Sequence, residues 1–274
     1  MKLNAYQKAC LAFFLVLVVF WIALAVDGSK TGFYNYLYSF LYGVLPLAAG
    51  LASIKGCRVF GGFSNAIGKA IFFIGMGLFF FGVGETIWSY YNIFLGVEAP
   101  YPSFADLFFA PSEFFYTIGV IYLAQTTGTR LGLTKPFGKA FAIFAPLALL
   151  ALSYYVLVVW GHGGSLSSET GPTLKAFLDF VYPLGDFVAL TVAVLITGLS
   201  FRYLGGEHKP DIVFILAGLA VLFIADSYFS YATTVEIFYN GGLCDLVFTV
   251  GLFFLSFGVL GFNTVKNLTP QQGV

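Results

Sequence analysis

The stretch KAIFFIGMGLFFFGVGETIWSYY, residues 69–91, contains only two charged residues, Lys69 and Glu85. An α-helix of about 20 apolar residues crosses the hydrocarbon core of a bilayer, because each residue adds about 1.5 Å. The stretch is therefore predicted to form a transmembrane helix. Its apolar residues are continuous and do not alternate with polar ones, which excludes a strand of a transmembrane β-barrel.

The rest of the chain has the same character. Of its 274 residues 59% are hydrophobic and 9% are charged, and the mean hydropathy is +0.90. Soluble domains are typically about 45–50% apolar and about 25% charged, so the composition indicates a membrane protein. Apolar runs lie at about 10–26, 33–54, 69–91, 107–125, 139–160, 174–199, 211–233 and 243–262. We predict a single integral membrane domain over residues 1–274, an all-α polytopic bundle of eight transmembrane helices.

Basic residues predict the orientation of these spans. Of the 13 lysines and arginines, 11 fall on the N-terminus, the even-numbered loops and the C-terminal tail, and only Lys30 and Lys175 fall on the other side. Cytoplasmic loops carry the excess of lysine and arginine, so we expect a multi-pass protein of the cell membrane with both termini cytoplasmic. The first span could alternatively be a cleaved signal peptide, since Lys2 and Lys8 precede it and ALA at 23–25 ends it. Cleavage would leave seven spans in the same orientation.

Acidic residues have the opposite distribution. The outer half and the outer loops contain Asp27, Glu85, Glu98, Asp106, Glu113, Glu169, Asp179, Asp186, Asp226, Glu236 and Asp245, which leaves only Glu207 and Asp211 inside. The formal net charge is zero and no basic face is apparent, so a nucleic-acid partner is excluded. Membrane lipid is the expected surrounding, and the oligomeric state is undetermined.

Several acids fall within spans, where ionisable groups are rare and indicate function. At about 1.5 Å per residue, Glu85, Glu113, Asp179 and Asp226 lie roughly 7–10 Å below the outer surface, and Asp186 lies near the midplane. Asp106 and Asp245 mark the outer rim, and aromatic residues at similar depth include Trp88, Tyr90 and Tyr231. We predict that these residues line an acidic, aromatic cavity that binds a small ligand, a proton or a cation. The alternative is that each protonated acid only bridges helices.

A repeat relates residues 69–125 to residues 211–262. ETIWSY at 85–90 aligns with DSYFSY at 226–231, and ADLFF at 105–109 aligns with CDLVF at 244–248. IGV around Gly119 then matches FGV around Gly258. Both copies run from the inside to the outside and back, so they are predicted to be parallel helix hairpins related by an axis along the membrane normal.

These motifs resemble a known family. GETIWSYYNIFLGVEAPYPSFADLFF at 84–109, YPLGDF at 182–187, ADSYFSY at 225–231 and GGLCDLVF at 241–248 are similar to eight-helix membrane sensor modules that precede bacterial and archaeal histidine kinases and diguanylate cyclases. The resemblance covers about residues 70–262, and PYPSFAD is its most specific part. It implies that Glu85, Asp106, Asp186, Asp226 and Asp245 occupy the family's recurrent acidic positions. The chain ends 12 residues after the last predicted span (274 − 262) without an output domain, so we expect signalling to pass to a cytoplasmic partner.

Enzymatic chemistry finds little support in the sequence. Cys10, Cys57 and Cys244 have no paired spacing, and both histidines, His162 and His208, lie in predicted loops. A His-based metal site is therefore not expected. We expect no catalytic residue, no cofactor and no bound metal.

Three functions remain open. The first is a sensor that binds a ligand, proton or cation in its outer half and signals to a partner protein. The second is a proton- or cation-coupled transporter, because buried carboxylates also serve relays, and the third is a structural membrane subunit without a ligand. The inner half of the spans has no membrane-embedded charge in the sequence, which favours sensing over transport.

Overall fold

The computed structural model describes residues 3–97, 102–155, 159, 173–200 and 207–264. Within these ranges the chain is helical and has no β-strand. The helices are α1 (Ala5–Asp27), α2 (Phe33–Val59), α3 (Ala66–Tyr90), α4 (Asp106–Thr126), α5 (Thr129–Leu133), α6 (Pro136–Tyr154), α7 (Thr173–Ser200), α8 (Lys209–Thr234) and α9 (Leu243–Leu260). A π-helical turn, Tyr91–Leu95, continues α3.

Seven of these helices, α1 to α4, α6, α8 and α9, are long and apolar enough to cross a membrane. The prediction of an all-α membrane bundle is confirmed at this level. Within α7 the described apolar helix is Leu184–Leu199, which is shorter than the other seven. The eighth span, at 174–199, therefore stays a prediction.

Helix α1 begins at Ala5, five residues before the predicted span. Asn4 accepts a hydrogen bond from the backbone N–H of Gln7 (2.8 Å), and the Gln7 side chain accepts from the Asn4 N–H (3.3 Å). This reciprocal capping box stabilises the first turn. A hydropathy pattern does not detect it, because both residues are polar.

Glycines set the contacts of α3 with its neighbours. A Cβ on Gly82 would come within 2.6 Å of Leu47 of α2, and a Cβ on Gly84 would come within 2.6 Å of the Phe109 ring of α4. Gly75 and Gly77, seven residues earlier, lie against the same two helices at Ser53 and Tyr116. Seven residues are close to two helical turns, so each pair of glycines shares one face. Small residues of this kind let membrane helices pack closely.

The two predicted hairpin copies make equivalent contacts. Gly119 of α4 packs against Ile74 of α3, and Gly258 of α9 packs against Ile215 of α8. Asp106 and Asp245 both lie in the first turn of their helices, α4 and α9. These contacts are consistent with the repeat, whose symmetry axis remains a prediction.

The bundle has two chemically different ends. We call the end at which α1, α3 and α8 finish the acidic end, and the end at which α1 and α8 begin the basic end. The acidic end is the one predicted to be extracellular.

We expect a reporter that is active only in the cytoplasm to give signal when it is fused after Gly132 and none when it is fused after Gly164. The physical reason is the excess of basic residues in the fourth loop. Reporter activity normalised to expression measures this. Signal from the fusion after Gly164 would overturn the eight-span assignment.

Candidate functional site

Three carboxyl groups converge from three helices. Glu113 of α4, Asp186 of α7 and Asp226 of α8 each offer an oxygen atom, and these atoms all lie within 4.8 Å of one another. Asp186 is central, because its carboxyl group is in hydrogen-bond contact with both others. Glu113 and Asp186 are buried and Asp226 is half-buried. We call these three residues the triad.

Gly185 lets α7 approach α4 at the triad. A Cβ at this position would lie 2.7 Å from the Cβ of Glu113, a distance that real Cβ atoms essentially never show. The absence of a side chain therefore brings Asp186, the next residue, up to Glu113. Glycine at 185, within the LGD sequence at 184–186, is thus a packing requirement of the triad.

The triad is not neutralised by a described basic side chain. Among the described residues the ion pair found is His208 with Asp211, which involves no member of the triad. A hydrogen bond between two carboxyl groups requires a proton on one of them, and like charges at this separation repel strongly in a medium of low dielectric constant. The triad therefore has to hold a proton, a cation or both.

A second group of polar side chains surrounds Glu85. Tyr42 of α2 donates a hydrogen bond to Glu85 Oε1 (2.6 Å), while Oε2 is buried and has no partner among the described residues. Asp245 of α9 accepts hydrogen bonds from Ser39 (2.7 Å) and from the backbone N–H of Gly241 (2.7 Å). Glu85 and Asp245 are close enough to interact electrostatically. We call Glu85, Asp245, Tyr42 and Ser39 the Glu85 cluster.

The connection between α8 and α9 is bound to this cluster through Asn240. Its Oδ1 accepts hydrogen bonds from Trp88 (3.2 Å) and Ser39 (3.3 Å), and its backbone carbonyl accepts one from Asn35 (3.0 Å). Trp21 donates to the carbonyl of Gly242 in the same connection (3.0 Å). The indole N–H groups of Trp21 and Trp88 thus both donate hydrogen bonds to this segment.

The remaining predicted site residues lie in different surroundings. Asp106 accepts hydrogen bonds from the Ser103 N–H (2.6 Å) and from the Tyr182 hydroxyl (2.7 Å), so it closes the first turn of α4. Tyr90 is 52% exposed and stacks on Phe94, which places it outside the buried clusters. Tyr231 is half-buried on α8. Asp179 belongs to α7, but its side chain lies outside the described part of the chain.

The cavity at the acidic end has a different lining from the predicted one. It has a volume of about 240 Å³, and its lining includes Lys30, Tyr228, Tyr239 and Cys244. The described residues that line it include no carboxyl group. Cys244 lines the cavity and also interacts electrostatically with Asp245, Asp226 and Glu85.

The basic end contains a polar network that sequence reasoning missed. Asp211, in the first turn of α8, is fully buried and accepts hydrogen bonds from Gln7 Nε2 (3.0 Å) and pairs with His208 Nδ1 (2.8 Å). The sequence places Asp211 at the inner end of the seventh predicted span, but it does not predict that this acid is buried among helices. Burial is possible because Gln7 and His208 satisfy both of its oxygens. Gln7 lies 204 positions away, so no local pattern predicts this contact.

Comparison of the chain with known protein families, with curated proteins and with solved structures finds no match. The fold and the site define a class, a multi-pass helical membrane protein with a buried carboxyl triad.

Proposed function

We propose that the protein is a receptor-like membrane module in which the triad takes up a proton or a cation, and that a cytoplasmic partner protein reads its occupancy. The observation that carries the proposal is the convergence of three carboxyl groups from α4, α7 and α8 within 4.8 Å. A proton or cation bound at the triad reduces the repulsion among the carboxyl groups of three helices, so it changes how these helices pack.

Helix α8 supplies a connection from the triad to the other end of the bundle. It carries Asp226 in the triad and Asp211 in the basic-end network, 15 residues apart, which is about 22 Å along a helix. A shift of α8 at Asp226 therefore alters the hydrogen bonds of Asp211 with Gln7 and His208. The expected readout surface is the basic end, which the distribution of lysine and arginine places in the cytoplasm.

A proton- or cation-coupled transporter is the second candidate, because buried carboxyl groups also serve relays. Against it, residues 212–225 of α8, IVFILAGLAVLFIA, are apolar throughout. This segment separates the triad from Asp211 and offers no relay group, which supports sensing over transport.

The test is a distance measurement at the basic end. Spin labels on Val213→Cys of α8 and Gln125→Cys of α4, both at exposed positions, report the separation of these helices in nanodiscs. We expect the distance distribution to change on acidification or on addition of Ca²⁺, and not to change in Asp226→Asn. Asp27→Asn, at an exposed acid of the same end, is the matched control and should respond as the parent does. An unresponsive parent protein would overturn the proposal, and dissipation of an imposed pH gradient in proteoliposomes would favour the transporter.

A further inference from the structure

A buried phenol without a hydrogen-bond partner lies next to the triad. Tyr116 follows Glu113 by three residues, so the two side chains share a face of α4. Its side chain is 1% exposed, and its hydroxyl group has no hydrogen-bond partner among the described residues. It interacts electrostatically with both Glu113 and Asp226, so it lies close to the triad.

A ligand bound at the triad would give this hydroxyl group a partner. A buried polar group without a partner costs about 1–3 kcal/mol, and buried polar groups in proteins are nearly always satisfied. Its ring is fixed against Gly77, where a Cβ would come within 2.5 Å of the ring carbons. The ring therefore has little room to move without a shift of α3.

The triad has the dimensions of a cation site. Three atoms separated by at most 4.8 Å can all lie within about 2.8 Å of one point, close to the Ca²⁺–oxygen distance of about 2.3–2.6 Å. The carboxylates of Glu113, Asp186 and Asp226 offer six oxygens, and the phenol of Tyr116 offers a seventh. Ca²⁺ takes about six to eight oxygen ligands in irregular geometry, whereas Mg²⁺ requires shorter bonds and a regular octahedron.

The donor atoms also select the charge and type of the ion. All members of the triad are hard oxygen ligands, which suit Ca²⁺ and Mn²⁺ and not the softer metals that prefer thiolates or imidazoles. Three ionised carboxylates carry a charge of −3, so a divalent cation leaves −1 and a monovalent one leaves −2. In a medium of low dielectric constant the smaller residual charge is favoured.

We propose that Glu113, Asp186, Asp226 and Tyr116 form a binding site for one hard divalent cation of the size of Ca²⁺. This inference rests on the proposed function, whose ligand it specifies. Binding of the ion to a triad that holds a proton releases that proton to solvent. The cavity above Cys244, lined by Tyr228 two residues after Asp226, lies on the side from which the ion would enter.

The test uses Mn²⁺ as a paramagnetic probe with the full chain in nanodiscs that contain no acidic lipid. We expect electron paramagnetic resonance to detect one Mn²⁺ bound per chain, and we expect Ca²⁺ to displace it. Asp186→Asn should weaken binding by more than about 100-fold, since even outer-shell partners of metals typically contribute about 10–100-fold. Tyr116→Phe should weaken it by about 10-fold, and Asp27→Asn should bind as the parent does. If Asp186→Asn does not fold, Glu113→Gln replaces it.

The outcomes separate this inference from the proposed function. Absence of Mn²⁺ binding to the parent protein, or equal binding to the parent and the triad variants, overturns the cation site. If the spin-label distance still responds to acidification in that case, the proposed function stands with a proton as its ligand. If one Mn²⁺ binds at the triad and the distance does not change, the cation site stands and the sensing function fails.

Discussion

Gly185→Val is expected to abolish the response of the spin-label distance to acidification and to Ca²⁺. A Cβ at residue 185 would lie 2.7 Å from the Cβ of Glu113, so a branched side chain forces α7 away from α4. Displacement by even about 1 Å separates carboxyl groups that must meet within hydrogen-bond distance. Overpacking of this kind also costs about 1–3 kcal/mol of stability.

The matched control is Leu184→Val, since Leu184 is the neighbouring residue of the same helix and is 45% exposed. Melting in nanodiscs shows whether both variants are folded, and the distance measurement is then made on each. Gly185→Ala should have a smaller effect of the same sign. A full response from folded Gly185→Val would show that close approach of α7 and α4 is unnecessary.

Asp211→Ala is expected to lower the free energy of unfolding by about 3 kcal/mol, the lower end of the range for removing one partner of a buried pair. The substitution leaves Gln7 Nε2 with only a long hydrogen bond to the carbonyl of Phe257 (3.3 Å) and removes the partner of His208 Nδ1. It also removes the contact of Asp211 with the backbone at Gly261. The basic ends of α1, α8 and α9 then lose the hydrogen-bond network around Asp211 that connects them.

Thermal or denaturant unfolding of the detergent-solubilised protein measures this effect. Asp27→Asn, at an exposed acid, should change the stability by less than about 0.5 kcal/mol. His208→Ala should give a loss between the two, because it removes one of the two polar contacts. An Asp211→Ala protein as stable as the parent would show that the network does not hold the helices together.

The sequence predicts the helices well because membrane spans depend on local hydropathy. Position along a helix gives similar depths for Glu113 and Asp226, which do meet, but it is wrong for Asp186: predicted to lie deeper, near the midplane, this residue has a carboxyl oxygen within 4.8 Å of theirs. Which acids meet depends instead on how helices are rotated and packed. Asp226 of the second hairpin meets Glu113 of the first, and Glu85 of the first lies near Asp245 of the second. Alignment of the two repeat copies does not predict these contacts between hairpins.

Tyr90 shows that depth along a helix does not by itself predict which side chains lie in a buried site. It lies five residues after Glu85, which is about 140° around the helix at 3.6 residues per turn, so it projects out of the bundle. Tyr34, Tyr38 and Tyr42 share a face, yet Tyr34 is 66% exposed at the helix end while Tyr38 and Tyr42 are buried. Tyr38 bonds to Thr249 (2.9 Å) and Tyr42 to Glu85 (2.6 Å), contacts between α2 and distant helices.

The expectation of no bound metal was drawn from the lack of paired cysteines and of histidines within the spans. The sequence predicts a proton, a cation or a small ligand among the acids, but it does not predict which three carboxyl groups meet, because their convergence depends on Gly185 and on the packing of α7. Glycine at 185 is visible in the sequence, but its contact partner, 72 positions away, is not.

Infrared absorption of the carboxyl groups in the reconstituted protein tests whether the triad exists, when it is recorded for the parent and for Glu113→Gln, Asp186→Asn and Asp226→Asn singly and in pairs. Interacting groups give non-additive effects and independent groups give additive ones. The account predicts that each single substitution alters the absorption of the remaining two carboxyl groups and that Glu85→Gln does not. Strictly additive spectra, in which every substitution removes one carboxyl group and leaves the others unchanged, would contradict the existence of the triad.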